Sequence, residues 1–150
     1  MKTKVVAAIG LMIFALLAVG AQAQTPFSFQ AAYDSAASGT VVKVPAGQVV
    51  ADRPAWGGST ILGGTKPVTF ECVDPVGLVT FNPAYPQLVI ARVSNVTIRG
   101  ACFRFRNLMI GLGGDDVANT TNIVIDGVDR ISGSRTEGLE VAGAELVVRN

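Results

Sequence analysis

The sequence predicts an all-β fold: a parallel β-helix, or solenoid, of about five turns with a short helix capping its N-terminal end. Three observations predict it. From Thr40 onward the chain is rich in Val, Ile, Thr and Gly, with almost no helical periodicity. A three-residue apolar-x-apolar strand core recurs at Val42–Val44, Val68–Phe70, Val96–Ile98, Ile123–Ile125 and Leu146–Val148. Gly, Asn, Asp and Pro punctuate the intervals. A period of roughly 23–28 residues built from short strands marks repeats that bury their apolar face only by stacking.

Each element follows in order. Lys2 and Lys4, the apolar run Val5 to Val19, and Ala21-Gln22-Ala23 read as a secretory signal peptide over residues 1–23, cut before Gln24. The run is shorter than the ~20 apolar residues a membrane span requires, so no span is expected after cleavage. The protein is expected outside the cytoplasm: secreted, periplasmic or at the cell surface. Residues 24–150 then form one domain long enough for a core. Phe27, Gln30, Ala31, Asp34 and Ala37 fit a short helix ending at Gly39. It would cover the first turn, whose strand edges and core otherwise lie open. Thr40 to Val44 runs into Pro-Ala-Gly as the first main strand. Secondary strands are expected at Leu78 to Phe81, Leu88 to Ala91, Cys102 to Phe105 and Leu139 to Val141. Successive turns would pair in parallel, ~4.8 Å apart. The near-identical NVTIRG (95–100) and NIVIDG (122–127) are then one strand in neighbouring turns, with Asn95 stacked on Asn122. An antiparallel β-sandwich would also give short strands, but without the long period. The chain reaches Asn150 directly after a strand core, so the sequence reads as a C-terminally incomplete β-helix, or as one whose last turn is left open.

Composition narrows the function. The whole chain has 12 Lys and Arg against 11 Asp and Glu. Without Lys2 and Lys4 that is 10 against 11, a net charge of −1 that argues against nucleic-acid partners. There is no histidine. Cys72 and Cys102 are the only cysteines, either a disulfide or two small core residues. Acids gather late: Asp115 and Asp116, Asp126, then Glu137 and Glu140. Stacked turns would bring them to one face, where several carboxylates hold a hard cation such as calcium; the alternative is that they keep strand ends soluble. Arg104 and Arg106 alternate with Phe103 and Phe105, which turns the rings inward and the guanidinium groups outward, toward Arg99 and Arg92. Such a row suits an acidic sugar chain, or is a solvated edge. Trp56, Tyr33 and Tyr85 are aromatic candidates for stacking on sugar rings or for anchoring loops. Asn95-Val-Thr and Asn119-Thr-Thr have the pattern of glycosylation acceptors.

FSFQAAYDSAASGTVVKVPAGQVV (27–50) and LVIARVSNVTIRGACF (88–103) resemble the opening segment and the coils of right-handed parallel β-helix proteins of the pectate-lyase-like superfamily. The resemblance implies a right-handed solenoid. Its lyases bind calcium through an Asp before a Trp-Ile-Asp-His strand and a later acidic pair. On this chain Asp115 or Asp116, Glu137 and Glu140 would be the ligands, with Asp126 at the strand Asp. Val124 and Gly127 stand where Trp and His occur in that pattern, and Glu137 and Glu140 are three apart rather than four. The catalytic Arg would lie in a later turn, so no catalytic residue is assigned. Gly114-Asp115-Asp116 also resembles the paired aspartates of polygalacturonase-type hydrolases, whose histidine is absent here. The functions that follow are a secreted, calcium-dependent lyase of acidic polysaccharide, with Arg99, Arg104 and Arg106 on substrate, or a non-catalytic carbohydrate-binding or adhesin-like surface solenoid. A third reading makes the chain the N-terminal scaffold of a larger enzyme. A monomer is expected.

Overall fold

The computed structural model describes residues 26–50, 52, 58–73, 77–81, 88–111, 119–131, 139–141 and 146–149. Among them are one helix, α1 (Phe29–Ser35), and twelve strands. The first six strands are β1 (Thr40–Val44), β2 (Gly47–Gln48), β3 (Ser59–Gly64), β4 (Val68–Cys72), β5 (Val79–Thr80) and β6 (Leu88–Arg99). The rest are β7 (Arg104–Phe105), β8 (Leu108–Ile110), β9 (Thr121–Asp126), β10 (Arg130–Ile131), β11 (Leu139–Val141) and β12 (Leu146–Arg149). The fold is all-β apart from α1, and the pairings are parallel.

The strands fall into three ladders. The first joins β1, β4, the second half of β6, β9 and β12, so that Val42, Phe70, Ile98, Ile125 and Val148 lie side by side. The second joins β3, the first half of β6, β8 and β11, aligning Ile61, Ile90, Ile110 and Val141. The third pairs β2 with β5 and β7 with β10, with a bridge from Val79 to Phe103 between the pairs. Because β6 belongs to two ladders, its strands form one open eight-stranded sheet that does not close on itself.

The expected register holds for Val68, Val96, Ile123 and Leu146, and is corrected at the first step. Val42 lies beside Phe70 rather than beside Val68. A two-residue shift leaves every side chain on the same face, so the apolar pattern alone cannot detect it. β2, β3, β8 and β10 were not among the expected strands. The inward residues of all three ladders form one buried cluster, in which Val68, Phe70, Val96, Ile98, Ile123 and Ile125 are at most 2% exposed.

α1 has seven residues, too few to hold as an isolated helix, so caps and packing fix it. Ser28 Oγ accepts the Ala31 N–H at 3.0 Å. Phe29 and Tyr33, one turn apart, point into the core. The Phe29 ring reaches Phe70 at 5.0 Å and stacks on Phe81 at 6.0 Å. Gln30 completes the edge of β3: its Oε1 accepts the Leu62 N–H at 2.8 Å and its Nε2 donates to the Leu62 carbonyl at 3.1 Å. Lys66 closes the other helix end by donating to the carbonyls of Asp34 and Ala36. Tyr33 is 1% exposed, with the Lys66 ammonium 4.8 Å from its ring centre. That corrects its reading as a sugar platform, because it belongs to the core beneath the helix.

The two cysteines are joined. Cys72, at the end of β4, and Cys102 form a disulfide with Cα atoms 6.0 Å apart. Gly100 makes room for it: its φ is +120°, and a Cβ there would lie 2.5 Å from Cys72 Sγ. The glycine of NVTIRG is thus set by the sulfur of the preceding strand. No helix among the described residues is long and apolar enough to cross a membrane.

Candidate functional site

The outward face of the first ladder carries two columns of side chains. Strand alternation sends every second residue out, and the parallel register stacks those residues. One column is Val41, Thr69, Thr97, Val124 and Val147. The other is Lys43, Glu71, Arg99, Asp126 and Arg149, alternating in sign at every step. Lys43 Nζ lies 2.9 Å from Glu71 Oε1, and Arg99 Nη2 bonds the other Glu71 oxygen. The Arg99 guanidinium first, then the Lys43 ammonium, hold the Glu71 carboxyl below the usual range. Glu71 in turn, with a smaller contribution from Asp126, raises Arg99.

A third row borders these columns where the chain enters the first ladder. Asn95 and Asn122 have φ of +64° and +52°, the left-handed region that Asn tolerates better than most residues. Asn122 Nδ2 donates to Asn95 Oδ1 at 2.7 Å, and Asn95 Nδ2 donates to the Thr65 carbonyl at 2.9 Å. The expected stacking of the two asparagines is therefore present, and it explains why the motif repeats. Between this row and the Val41–Val147 column runs a groove of about 250 Å³, lined by Gly39, Pro67, Thr69, Asn95, Thr97, Asn122 and Val124 with the edge of Val68.

The expected arginine set is divided. Arg99 sits in the charge column of the first ladder. Arg104 lies in the third, beside Arg130, and its Nε bonds Asp129 Oδ2. Arg106 follows on the same segment and is exposed. Phe103 and Phe105 are buried, so the expected alternation holds, but the three guanidinium groups do not form one row.

The acidic set is divided as well. Asp115, Asp116 and Glu137 lie outside the described residues, as do Trp56 and Tyr85. Asp126 ends β9 in the first ladder, in register between Arg99 and Arg149. Glu140 is in the second, beside Met109. Among the described residues no three His, Cys, Asp or Glu come together as a metal site. Asp126 and Glu140 stand on different ladders, and Asp126 lies in register between two arginine positions.

Sequence reasoning overlooked the charge column, although its residues recur at the same steps as the strand cores. The signal was the alternation of sign across the repeat. The groove was less visible, since Thr69 and Thr97 read simply as strand formers. The chain matches no family model, no curated protein and no solved structure.

Proposed function

We propose that this chain is a right-handed parallel β-helix of the pectate-lyase-like kind, exported from the cytoplasm, whose regular outer face binds extracellular carbohydrate without turning it over. Three parallel ladders around one buried cluster, with a helix over one end, support the solenoid. The disulfide supports an oxidising compartment, in line with the signal peptide.

One observation carries the non-catalytic reading. Ion pairs on the described outer face join Glu71 to Lys43 and Arg99, and Asp129 to Arg104. A calcium-dependent lyase needs acids converging on a cation and an unpaired base beside the substrate. A binding solenoid needs only a repeating surface, and the groove across successive strands supplies one. The test is electrophoresis of the purified protein through gels containing polysaccharide, alongside an assay for unsaturated uronate products with calcium present. Retardation without product supports the proposal. Release of unsaturated product would replace it with the lyase reading.

A further inference from the structure

We infer that the groove between the asparagine row and the threonine column takes an uncharged glycan, laid along the stacking direction with sugar units following the strand repeat. The inference rests on the carbohydrate-binding reading and adds the class of ligand and its place.

The groove spans four passes of the chain, at Gly39, Pro67, Asn95 and Asn122. At ~4.8 Å per step that is about 14 Å, room for a short run of pyranose rings rather than a single small molecule. Its chemistry is mixed. Pro67, Val124 and the threonine methyls offer apolar surface to the C–H face of a sugar. The Thr69 and Thr97 hydroxyls form no hydrogen bond with the described residues, and Asn122 Oδ1 accepts none from them. Asn95 is different: both ends of its amide are engaged, by Asn122 and Thr65, which fixes the row in place. The polar groups left for a ligand are thus hydroxyls and an amide oxygen, aligned along the groove and able to pair with sugar hydroxyls.

Among the described residues no charged side chain lines the groove. Over the four passes that the groove spans, the neighbouring column offers Lys43, Glu71, Arg99 and Asp126 in alternation, two of each sign, with Arg149 one pass beyond. A polyuronate lying there would meet Glu71 and Asp126 as often as Lys43 and Arg99, and would gain no net attraction. A peptide strand is also disfavoured, because backbone groups on this face are already paired within the ladder, and strand addition requires an open edge.

The experiment is amide chemical-shift mapping of the purified protein with uncharged β-1,4-linked pentasaccharides (glucan, mannan and xylan) and with pentagalacturonate. The expected result is that at least one uncharged chain shifts the amides of Thr69, Thr97, Asn122 and Val124 and the Asn95 and Asn122 side-chain NH₂ signals. Thr97→Val, which removes one hydroxyl at constant shape, should weaken that binding about fivefold, the usual worth of one hydrogen bond. Asn122→Gly, which keeps the left-handed backbone, should weaken it similarly. Binding of pentagalacturonate alone, or shifts elsewhere that ignore both variants, would overturn the groove assignment and leave the carbohydrate reading standing. Binding of none of the four would remove both.

Discussion

Removing the Cys72–Cys102 disulfide should cost this protein a large part of its stability. The perturbation is the double substitution Cys72→Ala and Cys102→Ala, which deletes a cross-link between residues 30 apart in sequence. In the chain-entropy account the link withholds roughly 12 cal/mol/K from the unfolded chain for a loop of that length, or about 3.7 kcal/mol at 25 °C. A domain of this size has a net stability of about 5–15 kcal/mol, so the loss is a substantial fraction. Its unfolding entropy, about 2.1 cal/mol/K per residue, converts the loss to a fall in Tm of roughly 10–15 °C. Cys102 is 1% exposed, and the small void left by its sulfur adds to the effect. The assay is calorimetry of the parent and the double variant, each with and without reductant. Reduced parent should melt close to the variant, and the variant should ignore reductant. Gly100→Ala provides an independent check: a Cβ at that position meets Cys72 Sγ at 2.5 Å on a backbone with φ of +120°, so it should lower Tm and make the disulfide easier to reduce. A double variant within about 1 kcal/mol of the parent would refute the reasoning, being far below the usual cost of losing a native cross-link. The link would then not constrain the unfolded chain, or β4 and the segment after β6 would not be neighbours.

Three further outcomes are expected. Asn122→Val should cost about 1–3 kcal/mol, because a β-branched residue is held at φ of +52°, whereas Asn122→Gly should cost little; urea unfolding of the pair separates backbone strain from the lost side-chain bond. Glu71 has a folded pKa below its ordinary 4.5, so its contribution is present above that value and disappears as pH falls through the folded pKa. Melting between pH 7 and pH 3 should therefore show an acid loss that Glu71→Gln reduces, and high salt should reduce it too, since the partners are exposed; an unchanged acid limb in Glu71→Gln would show that Arg99 and Lys43 do not hold the carboxylate. Calcium should leave Tm where a chelator leaves it, and a rise abolished by Glu137→Ala would instead establish the late acids as a metal site.

The fold was legible in the sequence where side chains repeat at one face. Val68, Val96, Ile123 and Leu146 occupy equivalent positions, and their spacing alone matches the register of the structure. β11 was read to the residue. Legibility failed mostly where strands are only two or three residues long. β8 and β10 carry too few alternations for a period to emerge; β8 lies beside the twelve-residue β6, which templates it, and β10 pairs with the equally short β7. The candidate site was less legible, for a different reason. Arg99, Arg104 and Arg106 are close in sequence, and closeness suggested one surface. The chain turns a corner at Gly100, where φ is +120°, and so delivers Arg99 and Arg104 to different ladders. Sign alternation from one repeat to the next was the better guide, because in stacked strands the lateral neighbour is one repeat away.

The placement of the groove follows from how unevenly the three ladders keep step. In the second ladder Ser59 pairs with Leu88, Leu88 with Leu108 and Leu108 with Leu139, so the middle pass is much shorter than the pass on either side of it. In the first, the passes from Thr40 to Val68, from Val68 to Val96 and from Val96 to Ile123 are almost the same length. Length differences are absorbed between strands, where an added residue costs little beyond loop entropy. Within a strand a single insertion would turn every following side chain to the other face. The first ladder therefore has three nearly equal consecutive passes, and its outward face keeps polar positions in step from one pass to the next: a pair of asparagines, a pair of threonines and an alternating line of charge. A surface meant to meet a repeating ligand has to repeat itself, and the near-constant step from Thr40 to Ile123 gives this chain one face that does.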